Sequence, residues 1–336
     1  MKHMRAHLLS LLRAAALLAA LLAGCGGQSA QTPAAEPEAP MSEGAEPEVD
    51  LGALLDEAVP LGDAPAMSTV LKTSAPGTAV KENSSTVIDY SNAKDGYVMV
   101  KWLSGSGPRI KVLVKGPSGV TYQYNLRQDG QYDAFPLSDG NGGYTVGVYK
   151  NTSGTKYSTV LTASLTATLA DEFAPFVRPN QYVNFTEGSA AVKKAAELCK
   201  GVTDNLAKVE KIYSYVVNHV VYDYDKAATV QSGYLPNVDD TLATGKGICF
   251  DYAALMSAML RSQGVPVKLV VGYTGDVYHA WISVYSEKDG WIEGKIYFDG
   301  KVWKLMDPTF ASGGKNSTEI LNYIGNGANY SAKYLY

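Results

Sequence analysis

Cys249, His279 and Asp307 stand in that order in a chain of 336 residues, and between them they hold what covalent acyl transfer requires. A thiolate attacks the acyl carbon, an imidazole takes and returns its proton, and a carboxylate orients the imidazole. Each of the three sits at a local boundary. Cys249 follows a Gly-Lys-Gly turn and opens an apolar run, Phe250-Asp251-Tyr252-Ala253. His279 begins a strand-like run, His-Ala-Trp-Ile-Ser-Val-Tyr, and Asp307 closes another, Val302-Trp303-Lys304-Leu305-Met306. A zinc or calcium enzyme is not expected. The globular part holds only His219 and His279, and no dense Asp/Asn loop suits calcium. No cofactor is expected either.

These side chains need particular elements to position them. Ala253, Met256 and Leu260 recur at helical spacing, with Gly264 as a stop and Pro266 beyond it, so a helix is predicted to start at Cys249. A helix N-terminus presents N–H groups and positive dipole, which favour a thiolate and can donate to an oxyanion. Adjacent antiparallel strands would set His279 and Asp307 side by side, one imidazole nitrogen facing Cys249 and the other Asp307. Asp251 reads as a helix-start charge and structural acceptor. Trp281 falls on the strand face of His279, as packing. Between Asp225 and Lys246 a long loop is expected as cleft wall or lid. Either Tyr222 or Tyr234 could add a group to the oxyanion site.

The Gly-x-Cys-x-Asp-Tyr-Ala helix start resembles the transglutaminase-like superfamily of cysteine enzymes. So do Gly264-Val265-Pro266, Val271-Gly272-Tyr273, His279-Ala280-Trp281 and Trp303 with Asp307-Pro308-Thr309. The resemblance runs from about Phe173 to Tyr336. It implies a papain-like core with Cys249 as nucleophile, His279 as base and Asp307 as orienter. It leaves the reaction open, since members cross-link proteins, hydrolyse peptides or amides, or have lost activity. The expected function is a cysteine protease, amidase or transglutaminase working through a thioester. The alternative is a non-catalytic surface binding protein that keeps the fold.

The N-terminus reads as a targeting segment over residues 1–25. Lys2 and Arg5 precede an apolar run from Ala14 to Ala23, closed by Leu22-Ala23-Gly24-Cys25. This resembles a bacterial lipobox in which Cys25 takes the lipid; an ordinary cleaved signal peptide is the plainer reading. Residues 26–66 are rich in Ala, Pro and Glu, carry nine acidic residues and have no Lys or Arg, so they read as a disordered tether. The expected location is the extracytoplasmic face of a membrane, held by lipid, with a protein or peptide substrate at the cell surface. The whole chain carries −4; setting aside the tether's −9 and the leader's +3 leaves about +2. Nothing in that balance points to nucleic acid. Cys199 lies on an apolar helical face with Ala191, Ala195 and Leu198, and reads as a buried core thiol.

The expected fold class is α+β. A small all-β, immunoglobulin-like sandwich covers residues 67–172, from short runs such as Ile110-Lys111-Val112-Leu113-Val114 between Gly-rich turns. It contains no His and no Cys, and reads as a spacer and packing partner. The transglutaminase-like domain follows over residues 173–336. Its longer early helix is predicted to be capped at Thr203-Asp204, with a stripe of Leu206, Val209, Tyr213, Val216 and Val220. His219 falls off that stripe, and Tyr222-Asp223-Tyr224-Asp225 reads as a capped turn. Four strands are expected after the cysteine helix, and a closing strand at Tyr334-Leu335-Tyr336.

Overall fold

The computed structural model describes residues 70–287, 290–292 and 329–336. Cys25, the tether and the strand expected to carry Asp307 lie outside the described residues, as does Asp307 itself; so does Asp299-Gly300, which the sequence offers as a hairpin turn before that strand.

The first half is built from strands β1 (Val80–Glu82), β2 (Thr86–Asp89), β3 (Tyr97–Trp102), β4 (Ile110–Lys115), β5 (Thr121–Asn125), β6 (Asp133–Pro136), β7 (Gly142–Ser153) and β8 (Lys156–Ala167). They form two four-stranded antiparallel sheets, ordered β1-β2-β3-β6 and β5-β4-β7-β8. In β4, Ile110, Val112 and Val114 turn into the core while Lys111, Leu113 and Lys115 turn outward. Such alternation is what made this strand legible in the sequence. Strands β2 and β6 lack it: all four residues of each are buried, including Asp89 and Asp133. Those carboxylates are satisfied locally, Asp89 by the N–H groups of Gly77 and Ser91, and Asp133 by Gln181 and Arg127.

The second half holds α1 (Ala190–Leu198), α2 (Asn205–His219), β9 (Val221–Tyr222), α3 (Tyr224–Thr229), α4 (Val238–Thr244), β10 (Lys246–Gly247) and α5 (Cys249–Ser262). Strands β11 (Val267–Thr274), β12 (Val277–Ser286), β13 (Gly290–Ile292) and β14 (Tyr330–Leu335) follow and form one antiparallel sheet, ordered β13-β12-β11-β14. Asp204 caps α2 by accepting from the Ala207 N–H at 2.8 Å, as its sequence position predicts. The buried stripe of α2 is Val209, Ile212 and Val216, with Leu206 and Tyr213 half-buried. His219 is exposed and stacks on Tyr215, and Asp223 caps α3.

One expectation is corrected. The stretch from Asp225 to Lys246 is not a continuous loop. It holds most of α3, a short loop, and α4, whose first turn Asn237 caps through the N–H groups of Asp239 and Asp240. Helices this short show too few turns for periodicity to reveal them, and their caps are the better signal.

Helix α5 is the axis of the second half. Every residue from Asp251 to Ser262 is buried, with α1, α2 and α4 packed on it from one side and β11 and β12 from the other. A helix enclosed on all sides has no polar face to spare, which accounts for its near-continuous apolar sequence. The two halves share one hydrophobic core, running from Val112 and Val148 to Leu255 and Leu269. At their junction Tyr122 and Tyr124 of β5 meet Tyr182, Tyr334 and the terminal Tyr336, with ring centroids 4.6–5.7 Å apart. Buried Arg261 ties the chain end to α5, donating to the carbonyls of Val267, Arg178 and Tyr336.

Candidate active site

Cys249 is the first residue of α5 and is buried, with Ile248 before it in extended backbone. The sequence produces this start through Asp251. Its Oδ2 accepts from the Ile248 N–H at 2.9 Å, satisfying one of the donors that a helix start leaves unpaired. The same oxygen accepts from Lys226 of α3 at 2.8 Å, and Oδ1 accepts from the Tyr234 hydroxyl. The Lys226 ammonium also lies 4.5 Å over the Tyr234 ring. Asp251 is completely buried, so α3, the loop after it and the turn carrying Cys249 are tied to one carboxylate. This bears out Asp251 as a structural acceptor and identifies Lys226, which sequence reasoning missed. The pairing spans 25 residues, so no local pattern could have signalled it.

His279 is buried in β12, opposite Gly272 of β11. Along β12, Ala280 and Ile282 join the core around α5, whereas Trp281 packs with Val270 of the opposite face. Alternation therefore gives Tyr278 to the α5 side and His279 to the side of Trp281. This corrects the expectation that the strand itself would face the imidazole toward Cys249: what the two residues share is the cavity they both border. The His279 and Trp281 rings are near-parallel, with centroids 6.3 Å apart and planes at 18°. Gly272 makes room there, because a Cβ at that position would collide with the Trp281 ring and the Ser331 carbonyl.

Cys249 and His279 border one cavity of about 600 Å³, reached by the first residues of α5 (Cys249, Phe250) and of β12 (Tyr278, His279, Ala280). The loop from Ser232 to Leu235 forms another wall, so the segment before the cysteine does line the cleft. Another wall comes from the sandwich, whose β4, β5 and β7 contribute Lys111, Leu113, Gln123 and Tyr149. As a packing partner the sandwich meets the expectation, since the two halves share one core; as a mere spacer it does not, because it also lines the cleft.

The tyrosines divide by where their protons go. Tyr234 lines the cavity, but its hydroxyl donates to Asp251, so it has no proton for an oxyanion. Tyr222 is not among the residues around the cavity. Tyr278, which the sequence reading passed over, lines it beside Cys249. Burial pushes its phenol well above the usual range, and neighbouring Tyr334, Tyr182, Tyr273 and Cys249 push in the same direction. It keeps its proton at neutral pH and can donate it. Its position directly before His279 was the available signal. Cys199 and Cys249 are both free thiols; Cys199 is buried at the end of α1, and burial raises its thiol pKa.

The chain resembles known proteins over part of its length. Residues 192–308 match the sequence profile of the transglutaminase-like superfamily. The chain is 32% identical over 93 residues to UPF0252 protein MJ1282 of Methanocaldococcus jannaschii, covering 24% of this chain and 26% of that one. It is 27% identical over 104 residues to uncharacterized protein YebA of Bacillus subtilis, covering 25% and 14%. The match therefore spans about a quarter or less of either relative. Among solved structures, red sea bream transglutaminase aligns with a TM-score of 0.27 at 12% identity, covering 69% of this chain and 54% of that one.

Proposed function

From a segment, residues 192–308, that belongs to the transglutaminase-like superfamily, we propose a cysteine acyl-transfer enzyme with Cys249 as nucleophile, His279 as base and Asp307 as orienter of the base. The observation that carries this is Cys249 at the first position of a buried helix, opening on a cavity that His279 also borders. The Cys249 sulfur attacks a carboxamide or peptide carbonyl and its proton passes to the imidazole. The C–N bond breaks, ammonia or an amine leaves with that proton, and an acyl thioester remains. Water or a second amine then adds to the thioester, its proton returns through the imidazole, and the thiol is released. First-turn N–H groups of α5 and the Tyr278 hydroxyl are the donors available to the oxyanion. Water as acceptor makes the protein a peptidase or amidase, and a lysine-type amine makes it a cross-linking enzyme.

The test is to trap the acyl group on Cys249 with an amide-directed probe and compare its release by water and by an added primary amine. Iodoacetamide should reach Cys249 through the cavity it borders, modify it quickly and abolish activity, should leave Cys199, which borders neither described cavity, untouched, and should act more slowly on His279→Ala. Equal rates of Cys249 alkylation with and without the imidazole would refute the catalytic reading in favour of a binding protein. The proposal includes a lipid anchor at Cys25 on an extracytoplasmic membrane face. Cys25→Ser should release the folded chain from membranes, and persistence in the membrane fraction after a high-salt wash would contradict the anchor.

A further inference from the structure

A second cavity, of about 330 Å³, touches the loop that walls the cleft, and Leu235 borders both. Two neighbouring side chains that line it, Asn180 and Gln181, are only 5% and 6% exposed. Each is an amide with partners for one end alone. The Asn180 oxygen accepts from the N–H groups of Tyr182 and Val183, both at 2.9 Å, and its Nδ2 is left buried with no hydrogen-bond partner among the described residues. The Gln181 Nε2 donates to the Asn125 carbonyl at 2.7 Å and to Asp133 at 3.0 Å, and its Oε1 is left in the same state. Turning either amide over would set nitrogen against N–H donors, or oxygen against carbonyl and carboxylate oxygens. Their partners therefore fix which end stays open.

Burying an unpaired donor and an unpaired acceptor costs stability, and each such group in a native protein calls for a partner. The described charged side chains at this cavity are already matched: Arg127 holds Asp133 at 2.7 Å and Lys72 holds Glu187 at 2.8 Å. What stays open is one donor and one acceptor, beside the apolar surfaces of Met99, Ala134 and Phe185. A residue in extended backbone has that complement, because its C=O and N–H point to the same side of the chain. A carboxylate would supply acceptors alone, and an ammonium donors alone.

We propose that this cavity is a remote subsite for a peptide, in which Asn180 Nδ2 donates to a backbone carbonyl and Gln181 Oε1 accepts from the N–H of the same residue. A peptide whose acyl group lies at Cys249 reaches the subsite by crossing Leu235. That continuity rests on the reading of Cys249 as nucleophile; the recognition of backbone does not.

The experiment uses the full chain carrying Cys249→Ala, isotope-labelled, and follows the side-chain amide signals of Asn180 and Gln181 by NMR. The probe is N-acetylalanine N-methylamide. Its control is the lactic acid analogue, in which an ester oxygen replaces the alanine N–H. The amide should shift both signals and bind about threefold to tenfold more tightly than the ester, the span of one hydrogen bond to a buried group. Asn184→Trp, at an exposed position on the cavity's edge, should block binding. Asn180→Asp keeps the acceptor for the turn but loses the donor, and should weaken it. Both variants should keep the parent circular dichroism spectrum. Signals that stay still up to the solubility of the probe would make water the partner of these groups and overturn the proposal. Equal affinity for amide and ester would do the same, as would binding indifferent to both substitutions. An N-acetylated sugar that competes equally with the probe would overturn the peptide assignment. If the probe binds but no acyl group can be trapped on Cys249 of the unsubstituted chain, the enzymatic reading falls and the subsite stands; a trapped acyl group without probe binding gives the converse.

Discussion

Replacing Asp251 by alanine should loosen the turn that carries Cys249 more than it disturbs the rest of the protein. The carboxylate is fully buried and serves three donors. Without it the N–H of buried Ile248 loses its acceptor, at a cost of about 1–3 kcal/mol. The Tyr234 hydroxyl loses its partner for about 1 kcal/mol. Lys226 contributes less: its side chain is 30% exposed and can turn to water, so its share is about 1 kcal/mol or below. The total is about 2–5 kcal/mol. Asp251→Asn should fall in between, because one amide oxygen still accepts while the amide nitrogen faces donors. Urea unfolding followed by tryptophan fluorescence measures the loss, and hydrogen exchange over residues 246–253 localises it. A loss below about 1 kcal/mol would be no more than an ordinary surface cap. That result, or unchanged exchange in this turn, would refute the reasoning that Asp251 holds the helix start.

Tyr234→Phe should cost about 1 kcal/mol on its own and less when Asp251→Asn is already present, which a double-mutant cycle reads directly. Arg261→Met should destabilise by about 3 kcal/mol or more, read by urea unfolding, by stripping donors from the carbonyls of Val267, Tyr336 and Arg178. The alkaline limb of stability should follow the tyrosine junction. Burial pushes Tyr122 up to about 12 and raises Tyr124, Tyr182 and Tyr336 as well. A raised acid binds its proton more tightly when folded. Its contribution is therefore complete below the unfolded value near 10 and is lost as pH climbs through the folded one. Unfolding by circular dichroism should coincide with the rise in tyrosinate absorbance, and full ionisation of a still-folded protein would contradict this.

What the sequence determined by itself is what short-range physics controls. The helix beginning at Cys249, the Asp204 cap, the burial of Cys199 and the alternating strand β4 were all legible, because caps and periodicity act within a turn or two of chain. The same reach explains what was missed. Strands β2 and β6 bury every residue and show no alternation, and the short helices α3 and α4 complete too few turns. The tertiary structure alone decided that Asp251 binds Lys226 and Tyr234, and so denies Tyr234 the role of oxyanion donor. It alone set Tyr278 beside the thiol and made the sandwich a wall of the cleft. Arg109 and Lys111 lie more than 130 positions before Cys249 in the sequence. Only the path of the chain, fixed by the core and tyrosine junction that the two halves share, brings them to the same cavity.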